Sequence, residues 1–295
     1  MNSNAHDTVF LELRPRLFGI AYRMLGSIAD AEDVLQDHWL RWRARDPDLI
    51  DNNTAYLTRV VTNLSIDTLR RLKLVRDEYS GPWLPPPVIE EFDDDTSGEV
   101  MTDLTKSLSV ALMALLETLS PNERATFVLR EAFELSFDEI ADCLSSKPAT
   151  CRQWSTRARR RMSGLKWRDS SPGLERGILE RFVGAMSTSN HTALLELLDS
   201  DVELISDGGG KVSAARRPLY GSREVSRFLI GLGKRHAGRL GGRMVKANND
   251  WGGIVTINDE IDSVFSIRIS DGRISGVYIV RNPDKLALVA KPTSV

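Results

Sequence analysis

Between Lys147 and Arg168 the chain has eight Lys or Arg and no acid. Lys147, Ala149, Thr150, Arg152 and Gln153 open this stretch, and Arg157, Arg159, Arg160 and Arg161 follow. Arg can fork onto a guanine edge and Gln onto an adenine edge, each pair worth roughly 1–3 kcal/mol of discrimination. The later arginines suit phosphate oxygens. If about four of them neutralise phosphates, log K falls with log salt at a slope of roughly −4. The competing reading is a basic amphipathic helix that only wets one face.

A second constellation lies on residues 54–73. Arg59, Asn63 and Asp67 recur every four residues and Arg70 follows three later, on the face opposite Leu57, Val60, Val61 and Leu64. Arg59, Asn63, Arg70 and Arg71 are expected to face nucleic acid. Asp67 is read as structural, at the i, i+4 spacing that would let it pair with Arg71. On residues 31–42, Asp33, Gln36, Asp37 and Arg41 fall outside the apolar stripe of Ala31, Val34, Leu35, His38, Trp39 and Trp42.

The elements that must position these groups follow from periodicity and breakers. Phe10, Leu13, Leu17, Ile20, Ala21 and Met24 predict one amphipathic helix, ended by Gly26. Ser27 or Asp30 can cap the next helix. Pro47–Asn53 reads as a loop. Residues 77–100 read as a linker rich in Pro, Gly and acid, with no packed element beyond the stiff WLPPP segment. Residues 101–165 return to helical spacing. Phe137–Cys143, a turn over Leu144–Lys147, and a helix from Pro148 to Met162 make a helix-turn-helix. Ser145 stands where that turn usually has Gly, and Lys147 where the helix usually has a Ser or Thr cap. Asp169–Gly173 is a second break. Helices at 174–187, 191–198 and 221–232 then precede short strands separated by Gly turns. That order predicts an α+β domain with helices on one face of a curved sheet.

Composition bounds the function. With 295 residues, 41% hydrophobic and 27% charged, the chain is long enough for two or three cored domains. No apolar run is long enough for a bilayer span, and the first residues do not read as a signal peptide. The net charge of −2 hides segregation, because Asp77–Asp103 holds nine acids and no base. Cys143 and Cys151 read as reduced thiols of a cytoplasmic protein, and no metal spacing or cofactor motif is present.

ADAEDVLQDHWLRW at residues 29–42, TAYLTRVVTNLSIDTLRRLK at 54–73 and SFDEIADCLSSKPATCRQWSTRARRRM at 136–162 together resemble the two core regions of a bacterial RNA polymerase sigma factor of the extracytoplasmic-function group. WLPPP at 83–87, DGGGK at 207–211 and NPDKL at 282–286 extend the resemblance to the branch with a C-terminal SnoaL-like domain. Where that branch usually has Glu and Asn, this chain has Pro86 and Asp207. The resemblance implies a multidomain chain: two all-α sigma domains, the second a helix-turn-helix, and a C-terminal α+β SnoaL-like (nuclear-transport-factor-2-like) cone. Region 2 would cover residues 8–76, the acidic linker 77–103, region 4 residues 104–168 and the cone 174–290.

It further implies that Asp33, Leu35 and Gln36 contact the clamp coiled coil of core RNA polymerase. Arg59, Asn63, Arg70 and Arg71 would meet the −10 element. Lys147, Ala149, Thr150, Arg152, Gln153, Arg157 and Arg160 would meet the −35 element. Trp83, Leu84 and Pro85 of the linker, Gly208, Gly209, Gly210 and Lys211 of the turn, and Asn282, Pro283, Asp284 and Lys285 of the tail would meet and regulate activity. No separate anti-sigma partner or membrane would be needed, and a small molecule could occupy the cone.

Two other classes stand beside this one. A ligand-sensing helix-turn-helix regulator would need no polymerase. A SnoaL-like isomerase or cyclase would need a buried acid, with Asp207, Asp250, Asp262, Tyr220 and Tyr278 as candidates. No spacing pairs these with a partner, Asp207 is read as part of a Gly turn, and NPDKL is read as a turn ending the last strand.

Overall fold

The computed structural model describes residues 3–45, 50–77, 79–90, 108–162, 172–287 and 289. The chain divides into two compact units. One gathers residues 1–78, 98–105 and 115–165; the other gathers 79–97, 106–114 and 166–295.

The first unit is helical: α1 (Ser3–Leu25), α2 (Ile28–Arg43), α3 (Asn53–Asp77), α5 (Pro121–Glu131), α6 (Phe137–Cys143) and α7 (Pro148–Met162). A short helix, α4 (Val110–Leu116), passes from one unit to the other. Gly26 ends α1 at a positive φ of 74°, and Ser27, not Asp30, caps α2 by accepting from Asp30 N–H. Ser120 with Glu123 and Ser136 with Glu139 form reciprocal capping boxes on α5 and α6. The core of α1–α3 is built from Leu17, Ile20, Met24, Val34, Trp42, Leu57 and Val61. Thr62 and Ser65 are buried in α3, and each hydroxyl donates to the carbonyl four residues back.

The second unit is a seven-stranded sheet with helices α8 (Pro172–Ser187), α9 (His191–Leu197) and α10 (Ser222–Arg235). Its strands are β1 (Ile89–Glu90), β2 (Leu198–Asp207), β3 (Leu219–Tyr220), β4 (Leu240–Ala247), β5 (Asp250–Ile257), β6 (Glu260–Ser270) and β7 (Arg273–Val280), and α11 (Pro283–Leu286) follows. The order is β1-β4-β5-β6-β7-β2-β3, with β2 and β7 parallel and the rest antiparallel. Register shifts in the β2–β7, β5–β6 and β6–β7 pairs bend the sheet. Phe182, Leu194, Val202, Leu204, Leu229, Ile267 and Val277 fill the core between sheet and helices.

Four expectations are corrected. The linker does form an element: β1 pairs with the β4 edge, Ile89 opposite Ala247 and Glu90 opposite Lys246. The hairpins are not generally Gly turns. Asn248–Asn249 and Asn258–Asp259 supply the two consecutive positive φ values of a tight I′ turn, and only Asp271–Gly272 uses glycine. NPDKL ends in a short helix capped by Asn282, not a simple turn. Pro172 and Gly173, expected in a break, belong to α8. The rest of that break and linker residues 91–103 lie outside the described residues.

His38 is fully buried on α2, its ring edge-on to Phe10 at 5.4 Å, and neither ring nitrogen has a hydrogen-bond partner among the described residues. Burial, with Arg41 adding, pushes its pKa down to about 4. The unfolded chain, with His near 6.5, therefore binds the proton more tightly. Stability is full above the unfolded value and falls by about 1.4 kcal/mol per pH unit as pH drops toward 4. Urea titrations of the full chain from pH 6.5 to 4.5 should show this slope, and His38→Leu should flatten it. An unchanged slope in the variant would assign the pH dependence elsewhere.

Candidate functional site

On α2 the acidic and polar side chains come out as the helical spacing demands. Asp33 and Gln36 are exposed, while Leu35 is buried at 2% exposure. The three line one groove with Phe10, Arg14 and Trp39, so Leu35 forms its floor and not its rim.

On α3 the four expected nucleic-acid residues differ. Arg59 Nη2 donates to Ser145 Oγ at 3.3 Å. Asn63 Nδ2 donates to Cys143 O at 3.1 Å and to Arg59 O at 3.0 Å. Both therefore contact the turn of the helix-turn-helix. Arg70 remains exposed but pairs with Asp67 at 3.0 Å, where Arg71 was the expected partner. Arg71 donates instead to Thr68 Oγ1 at 3.0 Å.

The helix-turn-helix is well formed. Ile140, Ala141 and Cys143 of α6 pack inward, as do Cys151, Ser155, Ala158 and Met162 of α7. Ser145 takes the left-handed backbone, φ 48°, that glycine usually supplies in this turn. Lys147, Ala149, Arg152, Gln153, Arg157 and Arg160 are exposed, and Thr150 is half-buried. Arg159 pairs with Glu131 at 2.7 Å and Arg161 with Glu123 at 2.9 Å. Both cysteines are buried free thiols, and burial pushes Cys143 up to about 11.

A group the sequence reading missed ties α3 to this motif. Glu117 pairs with Arg76 of α3 and with the fully buried Arg124 of α5. Arg124 Nε also donates to Arg23 O at 3.1 Å, and Lys73 Nζ to Leu119 O at 2.9 Å. Burial alone would raise the Glu117 pKa, but the Arg124 and Arg76 guanidiniums hold it below the usual carboxylate range.

In the second unit, linker, turn and tail meet at Asp207. Its carboxylate is fully buried at the end of β2, not in a Gly turn. It accepts from Tyr79 OH at 2.6 Å, Leu84 N–H at 2.8 Å, Gly209 N–H at 3.0 Å and Lys285 Nζ at 2.6 Å. Lys285 also donates to Leu84 O, with its ammonium 4.2 Å from the Trp83 ring centroid and 5.3 Å from that of Tyr79. Asn282 Nδ2 donates to Tyr79 OH at 2.8 Å. Burial first, then the Asp207 contact, raises the Tyr79 pKa. Pro85 is buried, and Pro283 opens α11.

The glycines are needed for this closeness. Gly209 has φ 64°, and a Cβ there would lie 2.5 Å from the Asn282 side chain; one on Gly210 would lie 2.9 Å from Ser80 Cβ. One on Gly208 would meet Val212 O at 2.5 Å. The exposed Lys211–Asp284 pair, 2.6 Å, adds little.

The remaining acid and phenol candidates are dispersed. Asp250 accepts from Val110 N–H at 2.9 Å. Tyr278 is buried and donates to Glu203 at 2.6 Å, and Tyr220 is exposed. Asp262 alone of the five lines the cone's cavity, where Arg281 pairs with it at 2.6 Å. That cavity, about 360 Å³, is walled by Phe182, Met186, Leu229, Phe265, Val277 and Ile279. No group of three or more potential metal ligands occurs among the described residues, and none of their helices is long and apolar enough to cross a membrane.

A three-helix unit, a helix-turn-helix and a curved-sheet cone in that order define a DNA-directed class with an added α+β domain. Residues 9–74 match the family model for Sigma-70 region 2, and residues 109–162 that for Sigma-70, region 4. The ECF RNA polymerase sigma factor SigJ of Mycobacterium tuberculosis is 33% identical over 94% of this chain and 91% of its own length. A crystal structure of that SigJ covers 94% of this chain and 97% of its own, with a TM-score of 0.76. The probable ECF RNA polymerase sigma factor SigI of the same organism is 27% identical over 95% and 96%. The chain belongs to the ECF RNA polymerase sigma factors and carries a C-terminal α+β domain.

Removing one partner of the buried Asp207–Lys285 pair leaves the other charge uncompensated. Asp207→Ala should therefore destabilise the second unit by about 3–5 kcal/mol. The double variant Asp207→Asn with Lys285→Met should recover most of that loss in denaturant titrations. A single variant within 1 kcal/mol of the parent would show that the pair contributes little.

Proposed function

We propose that residues 8–76 bind core RNA polymerase and melt the −10 element, that residues 104–168 read the −35 element, and that residues 174–290 regulate initiation in cis. In this reading Asp33, Leu35 and Gln36 meet the polymerase clamp. Lys147, Ala149, Thr150, Arg152 and Gln153 meet base edges while Arg157 and Arg160 hold phosphates. The supporting chemistry is a basic helix whose selector side chains point to solvent at its first turn.

The observation that carries the regulatory half is the Asp207–Lys285 clamp on the linker. A sigma linker must extend between two separated DNA elements. Residues 79–90 held against the cone's sheet are not available for that. Arg59 and Asn63 are likewise engaged by the helix-turn-helix turn, so the arrangement is a resting form that polymerase would have to open. The fused clamp acts in place of a separate anti-sigma factor. The apolar cavity supports a small, largely uncharged ligand that would bias the clamp. Of the five candidate residues only Asp262 lines the cavity, and Arg281 already neutralises it, which disfavours a general-base isomerase. The cytoplasm is where the partners of this reading are.

Promoter-dependent run-off transcription with bacterial core enzyme tests the reading. The full chain should give a specific transcript, and a chain stopped after Val280, which lacks the tail, should give more. Arg152→Ala and Gln153→Ala should each cut promoter-specific transcript by about 5- to 150-fold. No transcript from any chain, with DNA binding intact, would favour a regulator that works without polymerase.

A further inference from the structure

Between Lys211 and Lys246 the chain has ten Lys or Arg and a single acid, Glu224. Arg216, Arg217, Arg223, Arg227, Lys234, Arg235 and Arg239 are all exposed. None of these seven has an ion-pair partner among the described residues. The helix α10 organises the patch. Arg223, Arg227 and Lys234 follow at four and seven residues, which puts them on one face. Val225 and Leu229 are buried on the other side, and Ser226 and Ile230 are buried along the border of the basic stripe. Arg227 Nε and Arg239 Nη2 donate to the carbonyls of Arg223 and Arg235, each at 3.3 Å, which draws further cations toward the same helix. Gathering like charges without partners costs stability, and a polyanion would remove that cost.

We propose that this face of the C-terminal domain is a second, sequence-independent contact for the phosphate backbone of duplex DNA. Arg223 to Lys234 covers about 16 Å along the helix, comparable to roughly five base pairs. The face offers guanidinium and ammonium groups but no Asn or Gln, so it has charge for phosphates and no amide for reading adenine. A membrane surface does not fit. A basic amphipathic helix binds lipid through its apolar face, and here that face is committed to the core around Phe182 and Leu204. Single-stranded nucleic acid favours several stacking rings, whereas Tyr220, at 62% exposure, is the exposed aromatic next to α10.

The test uses the full chain and a 30-base-pair duplex without promoter elements, with binding followed by fluorescence anisotropy from 0.05 to 0.3 M salt. Arg223→Gln, Arg227→Gln and Lys234→Gln are combined in one variant. Three lost phosphate contacts should make the slope of log K against log salt shallower by about 2 to 3. The affinity at 0.1 M salt should fall at least tenfold. A second variant, Arg223→Lys with Arg227→Lys, keeps the charge and should retain the parent slope, which separates phosphate contact from damage to the helix. Arg157→Gln with Arg160→Gln in α7 reports the helix-turn-helix independently, so failure of the promoter reading and failure of this one are distinguishable. Parent-like affinity and slope in the triple variant would overturn the proposal. So would an unchanged duplex affinity with a loss confined to single-stranded RNA, which would assign the face to RNA.

Discussion

The buried carboxylate of Asp207 is the constraint on which the second unit depends. A carboxylate with no exposure is tolerable only when its lone pairs are filled and its charge is balanced. Four donors converge on it, and they come from three separated stretches: Tyr79 and Leu84 from the linker, Gly209 from the turn, and Lys285 from the tail. The linker's own backbone completes the arrangement, because Leu84 offers its N–H to the acid and its carbonyl to the base. A Pro-rich strand that could make no ladder of its own is thereby fixed by one ion pair, two aromatic faces and a short pairing at β1. Two neighbouring glycines allow the approach, since side chains at 209 and 210 would collide with Asn282 and Ser80.

The helical unit uses the same logic with the signs exchanged. There the fully buried ion is Arg124, and Glu117 balances it while also reaching Arg76. Double engagement makes Glu117 a bridge from the end of α3 to the helices that carry the helix-turn-helix. Arg59 and Asn63 add weaker bonds toward the other end of α3, the first exposed and the second part-buried. The buried bridge holds the geometry, while these outer contacts decide whether Arg59 and Asn63 are occupied. Polar bonds near the surface exchange for water or phosphate at little net cost. An arrangement so built can open at Arg59 and Asn63 while its anchor at Glu117 persists.

Most of the fold was legible in the sequence because it rests on local signals. The apolar stripes of α1–α3, the cap at Ser27 and the helix-turn-helix over residues 137–162 all come from spacing and capping chemistry. The order of helices and then short strands in the cone followed from apolar segments set between turn residues. What failed to read were features set by distant residues. β1 is two residues long and exists only because the β4 edge accepts it. Asn248–Asn249 and Asn258–Asp259 make turns expected of glycine, since Asn and Asp tolerate the left-handed region. Asp207 looked like part of a glycine turn because nothing local shows that Lys285, 78 residues away, will neutralise it. Glu117 and Arg124 carry no local signal of their pairing for the same reason. The recognition-helix residues were legible as exposed groups, yet the engagement of Arg59 and Asn63 depends on how α3 and α6 pack, which no spacing reveals.

Charge, more than fold, explains how one chain with a net charge of −2 can work on DNA. The linker at 77–103 has nine acids and no base, the run at 147–168 eight bases and no acid, and the run at 211–246 ten bases and one acid. The earlier run is conspicuous because a motif frames it. The later one is less dense and is interrupted by β3, α10 and the start of β4, and only the helix brings Arg223, Arg227 and Lys234 to one face. At physiological salt the Debye length is about 8 Å, so charges in one run act together while distant runs are screened from one another. Each cluster is therefore a separate local polyelectrolyte. A net charge averaged over 295 residues describes none of them.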